Sequence, residues 1–292
     1  MVYEWDGGYP LTIAISLKIN DGLILAADSA TTLVENGLAV NVYNNANKIF
    51  NLHKGLPVGA VTWGAGSIGV ASTSTLLKDF RARLTGGDDA WKLNRSDYSI
   101  LDVAEKLKRF IYNEHYQPRF QQQAEKPEIG FIVAGYSTGG ANAEEYRIDI
   151  QADGSCAGPT SIRKEEECGI TWSGQPEALN RLILGVSALV PEVLKTELNL
   201  DDERMRGLMT AMVPRIQAPL ISPAMPLKDA IDLADFLAEV AVQWSRFMPG
   251  AQSVGGPVEI AAISKHEGFR WIKRKYYFTR DLNPKEENGE RI

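Results

Sequence analysis

The order in which strand-like and helix-like segments follow one another restricts the fold of this 292-residue chain more than any other feature. Residues 12–28 have the pattern of two apolar strands joined across Asn20-Asp21-Gly22, and an Asp-Gly turn between β-rich runs is typical of a hairpin. Two further short strands are predicted at 47–50 and 56–63, after a polar loop. The first quarter of the chain is therefore predicted to be antiparallel β-structure.

Helical periodicity replaces the strand pattern from residue 67 onward. Apolar residues at spacings of three and four predict helices over 67–84 and 99–114. Strands are predicted again over 130–136, 145–150 and a segment that ends at Trp172. The remaining predicted elements are two helices and a closing hairpin, at 176–190, 227–247, and 258–264 with 269–277.

Strands, two helices, strands, two helices and strands in this order predict an α+β fold, a four-layer αββα sandwich of two antiparallel sheets flanked by helices. We expect a single domain over residues 1–282. The stretch 191–226 is too long for a simple connection and is predicted to be a helical insertion, of the kind that caps a site or forms an oligomer contact. The charged segment 283–292 has almost nothing to bury and is predicted to be a flexible tail.

Composition argues against several classes of function. The formal net charge is −6 with acidic and basic residues interspersed, which favours neither nucleic acid nor a membrane surface as a partner. There is no apolar run of membrane-spanning length and no signal-peptide pattern in residues 1–10, and Cys156 and Cys168 are the only cysteines, so we expect a cytoplasmic protein. The three histidines lie far apart without ligand spacing, and we predict no metal and no other cofactor.

Four segments near the start carry a resemblance to a known family. They contain a strand-borne threonine, a DG turn, an AAD motif with a downstream threonine, a lysine-isoleucine pair and a GAG turn. The segments are Thr12 to Asp28, Ser29-Ala30-Thr31-Thr32, Asn47-Lys48-Ile49-Phe50 and Trp63-Gly64-Ala65-Gly66-Ser67. This succession resembles the opening of proteasome β-type subunits, which are N-terminal-nucleophile (Ntn) hydrolases.

The likeness continues through most of the chain. Phe131 to Tyr136 followed by Asp153-Gly154-Ser155 resembles the central hairpin of that family, and Ser173-Gly174 resembles its serine-glycine turn. Gly255-Gly256-Pro257-Val258 is similar to the bacterial proteasome relatives, including the Anbu-type and HslV-type peptidases. The resemblance implies the four-layer fold predicted above and a peptidase-like site.

The resemblance also implies the roles of particular residues. Thr12 would be the nucleophile, with its own α-amine as the base once residues 1–11 are removed. Lys48 would lower the pKa values at Thr12, Asp28 would hold Lys48 in place, and Ser173 would complete the hydrogen-bond network around the amine. The backbone N–H of Gly66 would face the developing oxyanion.

Two further positions would bind substrate. Thr32 would pair with the backbone of an extended peptide, and Gly64 would form the floor of an open first specificity pocket. The expected substrate is a peptide or unfolded protein, and relatives of this kind imply self-association into a ring or a related homo-oligomer. Near the closing strand the family pattern of an aspartate with a serine is replaced by a segment containing Ser253.

The residues leave three functions open. The first is a threonine-type hydrolase that removes its own leader and cuts peptide or other amide bonds. The second is an unprocessed, catalytically inactive subunit with a structural or binding role, because Thr12 is also a good strand former and Asp28 with Lys48 is also an ordinary ion pair. The third is a small-molecule amidase, for which the open pocket at Gly64 and the insertion at 191–226 are the relevant features. Cleavage between Leu11 and Thr12 separates the first from the second.

Overall fold

The structure, a computed structural model, describes residues 12–35, 38–249 and 254–275. Its helices follow the strands in two groups, as the sequence predicts. The α-helices are α1 (Thr73–Gly86), α2 (Ile100–Lys108), α3 (Gln117–Phe120), α4 (Glu177–Leu179), α5 (Val190–Glu197), α6 (Asp202–Ile216) and α7 (Leu227–Phe247), and π-helical segments at Arg109–Tyr116 and Asn180–Leu184 continue α2 and α4.

The strands of the described residues pair antiparallel throughout. They are β1 (Ile13–Ile19), β2 (Gly22–Ala27), β3 (Thr31–Glu35), β4 (Leu38–Tyr43), β5 (Ile49–Asn51), β6 (Val58–Gly64), β7 (Ser67–Ile68), β8 (Ala71–Ser72), β9 (Ile129–Gly135), β10 (Glu144–Ile150), β11 (Cys156–Ser161), β12 (Gly169–Gly174), β13 (Glu259–Ser264) and β14 (Gly268–Lys273).

Most of these strands belong to two five-stranded sheets within the described ranges. Sheet 1 has the order β12-β1-β2-β13-β14, and sheet 2 has the order β11-β10-β9-β6-β5. The first hairpin sets the register of sheet 1, because Ile19 pairs with Gly22 across the two-residue turn at Asn20-Asp21. A mixed α+β fold with antiparallel sheets is therefore present.

Alternation along the strands divides the core into three clusters. Leu23 and Leu25 of β2 pack with Val61 and Ile132 of sheet 2. Ile24, one residue away from both, belongs to a second cluster with α4 and α7. The third cluster joins the opposite side of β6 and β9 to α1 and α2. Each buried aliphatic side chain of this kind stabilises the fold by about 1.5–3 kcal/mol.

The structure differs from the predicted elements at four places. The predicted polar loop between Asp28 and Lys48 contains the hairpin of β3 and β4, and the sequence signal for it is Asn36-Gly37 between two β-rich runs. The predicted helix at 67–84 begins only at α1, where Ser72 caps its N-terminus, after the small hairpin of β7 and β8. Strand β11 has no predicted counterpart, and the predicted helix at 176–190 ends at Leu184.

The stretch predicted as an insertion contains α5 and α6. No helix in the described ranges is both long and apolar enough to cross a membrane. The predicted tail at 283–292 and Ser253 lie outside the described residues.

Candidate active site

A buried carboxylate organises the start of the first strand. Asp28 follows β2 directly and is fully buried. Its Oδ1 accepts hydrogen bonds from the backbone N–H of Ile13 at 3.0 Å and from Lys48 Nζ at 2.6 Å. Its Oδ2 accepts from the backbone N–H groups of Ala30 at 3.1 Å and Gly255 at 3.0 Å. Asp28 thus ties together the beginning of β1, the lysine and the segment before β13.

Lys48 is the cationic partner in this arrangement. It precedes β5, and its side chain is almost entirely buried. Burial lowers the pKa of the Lys48 ammonium, while the charge and hydrogen bond of Asp28 oppose that change. A buried ammonium with a lowered pKa is the kind of group that loses or gives a proton more readily than a surface lysine does.

Thr12 lies beside this pair, immediately before β1. It is buried, and its carbonyl oxygen accepts a hydrogen bond of 2.7 Å from the backbone N–H of Gln175. Gly174 has a φ of +96°, and a Cβ placed on it would lie 1.9 Å from the Thr12 carbonyl oxygen. Only glycine allows the chain after β12 to approach Thr12 this closely.

A cavity of about 560 Å³ opens at this point. Thr12, Lys48, Gly64 and Gly66 all line it, so the structure brings four of the seven predicted site residues to one surface. The rest of the wall is mostly amide and hydroxyl side chains. These include Asn44, Asn45, Asn47, Thr31, Thr62, Ser72, Thr73 and Ser74.

Two glycines shape the wall opposite Thr12. Gly64 has a φ of +85°, and a Cβ on it would lie 2.2 Å from the carbonyl oxygen of Glu128. The carbonyl of Gly66 accepts a hydrogen bond from the N–H of Thr73. No backbone hydrogen bond between described residues occupies the N–H of Gly66 itself. This leaves a backbone donor for a substrate oxygen, the group that acyl-transfer sites use to stabilise an oxyanion.

Ser173 lies behind Thr12 rather than in the cavity wall. It is buried in β12 opposite Ala14 of β1. Its Oγ accepts a hydrogen bond of 3.1 Å from Arg147 Nη1, and the guanidinium of Arg147 stacks 4.9 Å from the centre of the Trp63 ring. Trp63 in turn lines the cavity. Arg147 therefore connects the predicted serine to the cavity wall.

Thr32, the residue predicted to pair with a peptide backbone, lies next to the cavity wall in sequence but is not part of it. The structure puts Thr31 in the cavity wall, and Thr32 is not among the described residues that line it. Successive side chains point to opposite faces of a strand, so Thr31 and Thr32 cannot share the same surface. The Thr31 Oγ1 lies 2.8 Å from the point where a Cβ on Gly66 would stand.

Arg147 is not among the predicted site residues, although the pattern of β10 indicates a polar face that includes it. In β10 the charged residues Glu145, Arg147 and Asp149 alternate with Ile148 and Ile150, which belong to the core. This alternation is typical of a half-buried strand, and it places Arg147 on the polar face rather than on the core face. No group of acidic, histidine or cysteine side chains in the described ranges has the arrangement of a metal site.

The fold is that of proteasome-like proteins. Within that class, the solved structures similar to this chain include Anbu proteins. The helical assembly of the Anbu complex from Pseudomonas aeruginosa has 14% sequence identity and a TM-score of 0.51, with 91% of this chain and 88% of that chain covered. Anbu (ancestral beta-subunit) from Yersinia bercovieri has 13% identity and a TM-score of 0.50, with 89% and 86% covered.

These similarities confirm, at the level of the fold, the resemblance to proteasome-related proteins found in the sequence. Neither a family model nor a curated protein matches the chain.

Proposed function

We propose that this protein is a proteasome-like threonine-type hydrolase that cleaves peptide or other amide bonds, with Thr12 as its N-terminal nucleophile after removal of residues 1–11. The observation that carries the proposal is the buried pair of Asp28 and Lys48. Its carboxylate holds the amide next to Thr12, and its ammonium shares a cavity wall with Thr12. Charged side chains are rarely buried in a folded protein, and burying a lysine with its carboxylate carries a desolvation cost.

In the proposed reaction, the Thr12 hydroxyl oxygen bonds to the substrate carbonyl carbon while its proton passes to the free α-amine, directly or through water. The N–H of Gly66 stabilises the negative oxygen that forms. The amine then returns the proton to the leaving nitrogen as the C–N bond breaks. Water hydrolyses the resulting ester and restores the hydroxyl. Lys48, held by Asp28, favours the deprotonated forms of Thr12 through its positive charge.

The proposal includes the finer features of the fold. The three core clusters support a four-layer αββα sandwich, since one joins the sheets and the others join each sheet to helices. Residues 1–282 then form a single domain with a helical insertion at about 191–226, and 283–292 are a flexible tail. A cytoplasmic location is proposed on composition and on the two cysteines.

Self-association is also part of the proposal. The similar Anbu complex from Pseudomonas aeruginosa forms a helical assembly, which supports a homo-oligomer for this chain. The proposed substrate is an extended peptide or unfolded protein, because the cavity wall offers hydroxyl and amide groups that pair with a peptide backbone.

The test is the state of the Leu11-Thr12 bond. Intact mass and N-terminal sequencing are measured on the purified wild type, on Thr12→Ala and on Thr31→Ala. The wild type and Thr31→Ala are expected to begin at Thr12, and Thr12→Ala is expected to keep residues 1–11. The processed protein is then assayed with a panel of fluorogenic peptides.

A full-length wild type that hydrolyses no amide substrate would overturn the hydrolase proposal. The alternative function would then apply, namely an unprocessed, catalytically inactive subunit with a structural or binding role in an oligomer. Processing without peptide hydrolysis, but with turnover of small amides, would favour the amidase instead.

A further inference from the structure

A second buried lysine-carboxylate pair lies next to the first. Lys275, two residues after β14, has a side chain only 6% exposed, and Glu259 at the start of β13 is 2% exposed. Lys275 Nζ donates to Glu259 Oε2 at 2.9 Å, to Ser29 Oγ at 2.6 Å and to the carbonyl oxygen of Ala46 at 2.6 Å. An ammonium has three protons to donate, and all three have an acceptor here.

The three acceptors come from three separate segments. Ser29 follows Asp28 directly, Ala46 lies two residues before Lys48, and Glu259 belongs to the segment that begins with Gly255. Those same three segments supply groups around the Asp28 carboxylate. Lys275 therefore contacts each of the segments that form the environment of Asp28.

Neighbouring hydrogen bonds connect these segments further. The backbone N–H of Ala46 donates to the carbonyl of Ser29, and the N–H of Ser29 donates to the carbonyl of Gly255. The Ser29 hydroxyl donates to the carbonyl of Pro257 at 2.6 Å. Loss of the Lys275 ammonium would leave Glu259 buried without its cation, which typically disrupts such a network strongly.

The same residues also determine the charges around Lys48. The charged groups that face it are Asp28 at the end of β2, Glu259 at the start of β13 and Lys275 after β14. The two carboxylates favour the charged ammonium of Lys48, and Lys275 disfavours it because like charges repel.

We propose that Lys275 and Glu259 are positioning residues of the candidate site, which hold the segments carrying Asp28 and Lys48 and set the protonation of Lys48. The inference rests on the proposed function only in assigning Lys48 as the activating cation. Neither residue is a catalytic group, since neither lies among the described residues that line the cavity.

The test measures the pKa of Lys48 directly in the protein as purified. The ¹³Cε shift of lysine-labelled protein is titrated, and the Lys48 signal is assigned by its absence in Lys48→Met. Lys275→Met is expected to raise the pKa of Lys48 by about one unit, because a neighbouring positive charge is lost and Glu259 is left unpaired. Glu259→Gln is expected to lower it.

Three matched variants separate charge from structure. Lys275→Arg keeps the charge and should leave the pKa of Lys48 near its wild-type value. The double variant Lys275→Met with Glu259→Gln removes both charges, so the pKa of Lys48 should return close to its wild-type value. Lys273→Met is the control, since Lys273 is 44% exposed and pairs with Asp235 and Glu239 instead.

An unchanged pKa of Lys48 in folded Lys275→Met and Glu259→Gln would overturn the inference. If Lys275→Met does not fold, the lowered pKa of Lys48 expected in Glu259→Gln and the unchanged pKa expected in Lys275→Arg still decide it. The titration needs no enzymatic turnover. An inactive wild type would therefore reject the proposed function, while the pKa values of Lys48 would still test the positioning role of Lys275 and Glu259.

Discussion

At the scale of single residues, the Asp28 carboxylate is the best-satisfied polar group near the cavity. Three backbone N–H groups and one ammonium donate to it. The Lys48 ammonium beside it, in contrast, has Asp28 as the acceptor of its only side-chain hydrogen bond among the described residues. Lys48 therefore depends on Asp28 more than Asp28 depends on Lys48.

Removing the charge of Asp28 should destabilise the protein strongly. Asp28→Asn leaves the buried Lys48 ammonium without its counter-charge and turns an amide group toward backbone donors. The free energy of unfolding in urea is expected to fall by about 3–5 kcal/mol.

The matched control is Lys228→Met, which breaks an exposed ion pair with Asp232 on α7. It should change the free energy of unfolding by less than about 0.5 kcal/mol. A decrease in the free energy of unfolding of less than about 1 kcal/mol in Asp28→Asn would show that the pair of Asp28 and Lys48 does not stabilise the fold in this way.

Residue identities in the sequence were enough to find this pair but not its surroundings. The order of the motifs along the chain predicts five of the site residues. The structure places Thr12, Lys48, Gly64 and Gly66 in one cavity wall, and Asp28 pairs with Lys48. The closing hairpin of β13 and β14 is predicted from the sequence, but the role of Lys275 depends on its contacts with Ser29 and Ala46, which are distant from it in sequence. No local pattern reports contacts of this kind.

At the scale of elements, the start of β1, the end of β12 and Gly174 determine the position of Thr12. β1 runs between β2 and β12, so Thr12 immediately precedes an interior strand with a neighbour on either side. The turn after β12 reaches Thr12 only because Gly174 adopts a positive φ without a Cβ. Both features belong to the fold rather than to Thr12 itself.

Gly174→Ala should displace Thr12. A Cβ would overlap the Thr12 carbonyl oxygen in addition to straining the backbone, and we expect a loss of about 3 kcal/mol or more with slowed processing. Gly139→Ala is the control, because Gly139 also has a positive φ of +72° but nothing within 4 Å of the added Cβ. It should cost about 1 kcal/mol.

Urea unfolding and the rate of leader removal are measured on both variants. If the free energy of unfolding fell equally in the two variants, the close approach of Gly174 to Thr12 would add no destabilisation beyond backbone strain.

Elements were predicted best where periodicity is long and regular. Helix α7 and the first hairpin have the predicted positions, since each combines an apolar period with a defined start or turn. The hairpin of β3 and β4 was missed because its polar residues resemble a loop, despite the Asn36-Gly37 signal. Arg147 is not predicted, because the apolar residues of β10 identify the strand but do not show which residues of other strands its charged side chains contact.

At the scale of the whole molecule, apolar side chains on the helical surface face solvent. Phe236 and Phe247 of α7 are 51% and 78% exposed, and together with Trp244 they line an apolar surface groove. Large aromatic side chains clustered on a surface usually mark an interaction site. This is the surface on which the proposed self-association is best tested.

Charges on that surface should lower the molecular mass in solution. The double variant Phe236→Glu with Phe247→Glu is expected to shift the protein from an oligomer toward a monomer by light scattering coupled to size exclusion. The control is Leu101→Glu on α2, a partly exposed apolar residue outside the groove. An oligomer that both variants leave intact would place the contact elsewhere.

The contributions to the Asp28 environment come from distant parts of the chain, with consequences for when the site can form. Ribosomes release residues in order, and Gly255, Glu259 and Lys275 emerge long after Thr12. A nascent chain that ends at α7 lacks every one of them. Under the proposed function, synthesis itself acts as a safeguard, because an amide-cutting centre stays incomplete until Lys275 has left the ribosome.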